Sequence, residues 1–552
     1  MKKTKSIITA LILVLAMAIS PMPLFAQSNP EDMGHIPVRE FFEETVGAAV
    51  TWDGGQWLIH IDMGDSEIVL MPGQEVALAN GVPVALQDGV SLWQGRSFIT
   101  EADLMALQAA IMGEQDAIIF HLTEEARDLV LQDFDYMVNF ILENSVWDNI
   151  LYRGHQLDFH TYTALFRDFI LSMEPIALNI TDMDALLVHF PIKDGDDARS
   201  IAANYLFALL LFEFAPPIGG IGHLEPRDLS LYQSLLAANI QLYHELGDDS
   251  EGNASLRLFL DSLTHPNAVW FYGEVEVDLG TGMLDSFPNI PSNIVTEVLI
   301  PGEVAYLRIN SFVSNPFFDD QITLPFLQQV HDYDHLVIDL RGNGGGLAPY
   351  FNEFIVRRLI NQPIEIEEHL LFTSGDGAMQ MLDATMRTKE HTGLPWYKNS
   401  IFGGAELLFA DVMPIEAFIQ QQGKTEFDQD DLARLTYAMV YRTAVFPADD
   451  AVGFSGQIWL LVDGQSASAS VLATGMSLSS GFATVVGENT TGVKGVPMIY
   501  TPLPNTGILW RTDVAHVVDA SGRSLEIYGL APDIHNFDGM DALETVLALI
   551  AE

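Results

Sequence analysis

Three short segments in the second half of the chain hold residue types that could do chemistry together. The first, His335-Leu-Val-Ile-Asp-Leu-Arg-Gly-Asn-Gly-Gly-Gly346, is an apolar run that breaks into a loop with four glycines among its last five residues. Glycine lets a backbone approach a ligand closely and aim N–H groups at it. A phosphate loop does the same but ends in Lys-Ser/Thr, which this segment lacks. The second, Gln457-Ile-Trp-Leu-Leu-Val-Asp-Gly-Gln-Ser-Ala-Ser-Ala-Ser470, reads as a strand ending at Asp463 and a helix of small residues starting around Ser468. A serine at such a turn is exposed beside the N–H groups of the first helical turn, which can stabilise an oxyanion. Taken alone, the same serines fit a helix cap. The third, Ser524-Leu-Glu-Ile-Tyr-Gly-Leu-Ala-Pro-Asp533, carries Glu526 near a turn, where a lone Glu is ordinarily a solvated side chain.

The elements that must position these residues belong to a long chain. Its 552 residues suffice for three to four units at about 150 residues each. Apolar residues make up 49% of it, with 32 Phe and 8 Trp to fill a core, so disorder throughout is excluded. The start reads as an export signal: Lys2, Lys3 and Lys5, an apolar run from Ile7 to Ile19, then a break at Pro21 and a small residue, Ala26. The run is short for a bilayer span. Cleavage after Ala26 would make residues 1–26 a signal peptide and place the mature chain outside the cytoplasm, secreted or at the cell surface, with no stable membrane insertion. Removing those three lysines takes the formal charge from −50 to −53, since no acidic residue precedes Ala26. Such a field repels nucleic acid and anionic lipid and favours solubility or basic peptides. Without cysteine there is no disulfide, thiolate nucleophile or thiolate-bound metal.

Residues 27–112 read as a small α+β domain. A short helix pattern at Pro37–Glu44 precedes strands at Trp57–Ile61, Glu67–Met71, Glu75–Ala79 and Val82–Leu86, with Asp53-Gly54 and Asn80-Gly81 as hairpin turns. A helix at Glu101–Met112 closes the unit. Residues 113–265 read as helical, with apolar positions at helical spacing through Asp133–Leu142, Tyr162–Leu171, Ala202–Phe214 and Leu229–Leu246. One Pro- and Gly-rich loop, Ala215–Pro226, interrupts them and holds His223; by itself this is a loop histidine bonded to backbone. From 266 to 552, strand-like runs at Ala268–Val277, Val304–Ile309, His335–Leu340, Gln457–Val462 and Ala483–Gly487 alternate with helical runs at Pro349–Leu359, Ser468–Ser479 and Met540–Ala551. That alternation predicts an α/β sheet with crossovers, interrupted by a mostly helical insert at about 376–450.

Five stretches occur in one order: VAYLRINSF (304–312), LVIDLRGNGGG (336–346), LLVDGQSASAS (460–470), GENTTG (487–492) and EIYGLAPD (526–533). Together they resemble the serine peptidase family of C-terminal-processing (tail-specific) proteases and the tricorn core, over roughly residues 295 to 550. The resemblance implies a crotonase-like α/β peptidase core, hydrolysis of peptide or protein substrates and no cofactor. It makes the middle serine, Ser468, the nucleophile, with oxyanion donors from Gly344 or Gly345 and from the N–H of Ala469. One branch of the family activates the serine with a Lys directly after the Gly of GENTTG; here Val493 holds that place and Lys494 follows. A one-residue slip on a strand turns a side chain to the opposite face. The tricorn-like branch uses a His from the preceding helical region and a Glu near the chain's end, which matches His223 and Glu526. An imidazole must take the serine proton and a carboxylate must orient it. Two departures stand out: Val471 replaces the family's acidic residue after the serine run, and no PDZ-like segment precedes Val304. Recognition of free C-termini is therefore unsupported. Two alternatives remain open, a Ser468–Lys494 dyad and a degenerate, non-catalytic peptide- or wall-binding module.

The stretch from PVREFFEETVGAAVTWDG to GRSFITEADL resembles the amine-oxidase N-terminal stalk-like domain of exported bacterial proteins, which implies surface or wall contact through 27–112. The acidic clusters Asp194–Asp197 and Asp428–Asp431 do not match a calcium loop. His60, His160, His189 and His516 lack partners at ligand spacing, so no metal is expected.

Overall fold

The computed structural model describes residues 36–46, 48–53, 58–63, 66–70, 76–86, 89–93, 96–100, 102–104, 106–107, 117–179, 190–218, 224–246, 254–274, 289–392, 396–398, 405–492 and 497–551. The expected signal peptide 1–26, His223 and Lys494 lie outside the described residues.

Near the N-terminus, strands Ala49–Asp53, Leu58–Asp62, Glu67–Leu70, Val76–Ala79 and Val82–Ala85 form an antiparallel meander. Asn80 and Gly81 both have positive φ, 54° and 79°, as a two-residue turn matching the strand twist requires. Helices Glu124–Asn144, Phe159–Ser172, Ala198–Ala208 and Leu229–Leu246 follow the expected apolar spacing. The region 113–265 is not helical throughout: strands Ala117–Phe120 and Ile176–Asn179 pair with each other, and Asn179 adds one parallel residue pair to Val84. These helices share one hydrophobic core with residues far along the chain. Phe134, Tyr162, Phe166 and Phe214 cluster, with Phe214 edge to face against Phe134 and Phe166 and tilted against Tyr162, and Phe214 leans on Trp510. Asp133, buried inside the first of these helices, accepts hydrogen bonds from the N–H groups of Asn505 and Thr506 at 2.9 and 2.7 Å, which ties a distant turn to it.

The sheet that carries the chemistry has six strands: β1 Ile294–Ile300, β2 Val304–Ile309, β3 His335–Asp339, β4 Gln457–Val462, β5 Thr484–Gly487 and β6 Ile534–His535, side by side in that order. β1 runs antiparallel to β2, and the rest are parallel, so the sheet is mixed. Alternate side chains face opposite ways. Ala305, Leu307, Leu336, Ile338, Leu460 and Val462 pack with residues of the crossover helices Pro316–Val330 and Ala469–Ser480. Val304, Tyr306, Val337 and Leu461 pack with Ala542 and Val546 of the C-terminal helix. Burial on both faces explains why these strands read as continuous apolar runs.

Two further sequence expectations fail. The region 376–450 is not mostly helical: besides helices Asp376–Thr392, Ile415–Gln422 and Gln429–Leu432 it holds strands Trp396–Lys398, Ala405–Pro414 and Leu435–Val445. The long strand Ile364–Thr373 pairs along Leu435–Val445 on one side and with Ala515–Val517 on the other, building a five-stranded sheet. The strand-like run from Ala268 begins instead as a helix, Pro266–Tyr272. His265 accepts a hydrogen bond from the Asn267 N–H, and Pro266 sits in the first turn, so local capping overrides the β preference of Val, Trp and Phe.

Candidate active site

The turn between β4 and the helix Ala469–Ser480 is cross-linked before it reaches Ser468. The Asp463 carboxylate accepts from the N–H groups of Gln465, Ser466 and, on the glycine loop, Gly342, at 3.0, 3.1 and 3.0 Å. The Ser466 hydroxyl donates to the Leu340 carbonyl at 2.9 Å. The Ala467 N–H donates to the Asn343 carbonyl at 3.0 Å. Pinned on both sides, Ser468 takes φ 51° and ψ −117°, a conformation that costs a non-glycine residue about 1–3 kcal/mol. It starts the helix without a capping hydrogen bond from its side chain, so the cap explanation fails for this serine. Its neighbours differ: Ser466 is a buried tie, and the Ser470 hydroxyl is buried without a partner. Ser468 is half-buried.

The glycine loop lies directly against this turn. A Cβ on Gly345 would stand 2.7 Å from the Ala467 carbonyl oxygen, 2.7 Å from Ser468 Cβ and 2.8 Å from the Ala469 nitrogen. Only glycine permits that approach at φ +95°. The Gly345 N–H is donated to Asn343 Oδ1 at 2.8 Å, and Asn343 Nδ2 donates to the Ile309 carbonyl at 3.0 Å. Gly345 is therefore a packing residue whose N–H is already engaged. Gly344 makes no backbone N–H hydrogen bond among the described residues. Ala469, the first residue of its helix, has an N–H with no partner inside the helix.

Glu526 is buried on the short helix Leu525–Tyr528. The segment Glu488–Gly492 joins it to the Ser468 turn. The Thr491 N–H donates to the Ser466 carbonyl at 3.0 Å, and a Cβ on Gly492 would fall 2.3 Å from the Glu526 backbone. Glu526 Oε1 accepts from the Val517 N–H at 2.9 Å and Oε2 from the Ser524 hydroxyl at 3.0 Å. His516 Nδ1 lies 3.1 Å from Oε2, a close charge contact without a well-angled hydrogen bond. Burial pushes the Glu526 carboxyl up, but the His516 imidazole and the Val517 N–H outweigh it and hold the group below the usual carboxylate range. Burial likewise pulls the imidazole down, and the Glu526 and Asp431 carboxylates outweigh that, so His516 stays above its ordinary value.

Residues 303–536 match the family model described as Peptidase family S41, and residues 29–107 match that of the Copper amine oxidase N-terminal domain. The segment 303–536 belongs to peptidase family S41. The chain is accordingly a serine-type peptidase, and the S41 region contains strands β2 to β6 of the mixed sheet, with β1 lying just before it. No curated protein matches the chain. Among solved structures, a peptidase from Parabacteroides merdae ATCC 43184 is 14% identical with a TM-score of 0.34, covering 76% of this chain and 96% of that one. A photosystem II D1 C-terminal processing protease is 19% identical with a TM-score of 0.26, over 47% of this chain and 51% of that one. The tricorn protease is 9% identical with a TM-score of 0.30, over 91% of this chain and 41% of that one. At these TM-scores none of them assigns a role to a residue.

Within the S41 region, Ser468, Gly344, Gly345 and Ala469 come together, and Glu526 is joined to them through Thr491 and Gly492. The strand Glu225–Pro226, which begins two residues after His223, pairs with Leu509–Asp513, the strand that leads into His516. Two residues to which the sequence expectations gave no part in the site contribute here. Asn343 braces the glycine loop, and its place between two glycines is the sequence signal for such a side-chain turn. His516 has no spacing signal. Among the described residues, no group of three His, Asp or Glu side chains could hold a metal ion, and no helix is long and apolar enough to cross a membrane.

Proposed function

We propose that the chain is an exported endopeptidase that cleaves peptide bonds through an acyl-enzyme on Ser468, with His223 as base and Glu526 as the carboxylate that orients it. The observation that carries this reading is the strained backbone of Ser468 at a strand-to-helix turn, pressed against Gly345 and free of capping duty. As Oγ attacks the scissile carbonyl, the neutral imidazole takes its proton. The N–H groups of Gly344 and Ala469 receive the oxyanion, and the imidazolium returns the proton to the leaving amine. Water then hydrolyses the ester by the same route. In this reading the S41 region folds as a crotonase-like core within 266–552, preceded by a helical part at 113–265. Residues 27–112 make surface or wall contact after a signal peptide, 1–26, is removed, so the protein is secreted or held at the cell surface.

The test is labelling by a fluorophosphonate probe. Ser468→Ala should abolish it, and labelling retained at the wild-type level refutes the assignment. His223→Ala should slow acylation by roughly 10²–10⁴-fold, the range of a lost general base. If Lys494→Ala does so while His223→Ala does not, the base is Lys494.

A further inference from the structure

The Glu526 carboxylate ends a buried chain of charge that reaches into two other parts of the molecule. His516 is 5% exposed; its Nδ1 faces Glu526 at 3.1 Å and its Nε2 faces Asp431 at 3.8 Å. Asp431 in turn receives both guanidinium nitrogens of Arg153, at 3.1 and 2.5 Å, and the Asn149 amide at 3.1 Å. Arg153 also meets Asp428 at 2.6 Å. Thus helix Trp147–His155, which lies outside the S41 region, shares one ionic network with the short helix Gln429–Leu432, His516 and Glu526 inside it. The neighbouring strand sets Leu371 opposite His516 and adds no charge there. The cavity beside the ring is lined by Ser145, Trp147, Leu371, Leu435 and Val514, again without charge.

We infer that His516 is a positioning residue for the peptidase reaction: held as a cation between Asp431 and Glu526, it keeps the Glu526 carboxylate ionised and fixed for the catalytic base. The inference rests on the reading of Glu526 as the orienting carboxylate. Both ring nitrogens point at carboxylates in the interior, which suits a buried counter-ion and not a base that must reach Ser468. A carboxylate with both oxygens already engaged by Val517, Ser524 and His516 has one orientation. Removing the cation leaves a buried charge that must take up a proton or move. The raised imidazole affinity for protons extends the cationic range above the ordinary histidine value, and the network fails as pH rises through it.

The test uses the full chain and the rate of fluorophosphonate acylation from pH 5 to 10. The wild type should lose rate on an alkaline limb. His516→Gln should be slower by roughly tenfold at neutral pH, as expected for loss of one charged contact, and should lack that limb. Asp431→Asn should move the limb to lower pH, and it decides the matter alone if His516→Gln does not fold. Combining His516→Gln with Glu526→Gln should cost little beyond Glu526→Gln. A wild-type rate and pH profile in His516→Gln, or an unmoved limb in Asp431→Asn, overturns the inference. So does loss as complete as in Ser468→Ala by a folded His516→Gln, which would make His516 the base. Labelling that survives Ser468→Ala instead refutes the proposed function itself, so the two failures are distinct.

Discussion

Gly345→Ala is the sharpest probe of the contact on which the site is built. The added methyl would meet the Ala467 carbonyl oxygen and Ser468 Cβ at 2.7 Å and the Ala469 nitrogen at 2.8 Å. Ordinary contact begins near 3.4 Å, so these neighbours must retreat by about 0.6–0.7 Å, and two of the three are backbone atoms with no rotamer to change. The φ of +95° adds a left-handed penalty. Together, strain and overpacking should lower stability by about 2–4 kcal/mol. The displacement falls on the nucleophile and on one oxyanion donor, where misplacement by about 1 Å costs on the order of 10²-fold in rate. Acylation by a fluorophosphonate should therefore slow by roughly 10–10²-fold in protein that remains folded by circular dichroism. Gly344→Ala is the control: its methyl meets nothing within 4 Å, and its N–H is retained, so its loss should be much smaller. Acylation by Gly345→Ala at the wild-type rate, or equal losses in both variants, would refute the claim that the glycine loop braces Ser468.

Two further predictions concern stability. Asp133→Ala removes the acceptor of two backbone N–H bonds and of the Thr506 hydroxyl at 2.6 Å, so it should destabilise by about 3 kcal/mol, read as a lower urea midpoint; an unchanged midpoint would show that this tie is dispensable. Burial pushes the Glu213 carboxyl up to about 7. A raised value means that its contribution is full below its unfolded value near 4.5 and is lost as pH rises through about 7. Glu213→Gln should thus gain stability relative to wild type between pH 5 and pH 8, by at most about 3 kcal/mol, and parallel urea midpoints at the two pH values would contradict it.

How much could be read in advance follows the range of the interactions. A strand that breaks into Gly-Asn-Gly-Gly-Gly, and another that breaks into Ser-Ala-Ser-Ala-Ser, announce themselves because their conformations are local. Asn80-Gly81 does so for the same reason. The strands Ala405–Pro414 and Leu435–Val445 were illegible, because what selects extended structure there is the pairing of Leu435–Val445 with Ile364–Thr373 on one side and with Ala405–Pro414 on the other, set by tertiary contacts. The His516 network was hidden too: Arg153 and Asp431 stand 278 positions apart, and no periodicity links them.

The amino-acid sequence by itself determined the serine turn, the glycine loop, their order and hence the match of residues 303–536 to the S41 family. Each depends on backbone geometry that a few adjacent residues dictate. Only the tertiary structure decided that Gly345 packs rather than donates, since Asn343 takes its N–H. Only the tertiary structure decided, likewise, that Glu526 lies against His516, because burial is what turns two ordinary side chains into a coupled pair of charges.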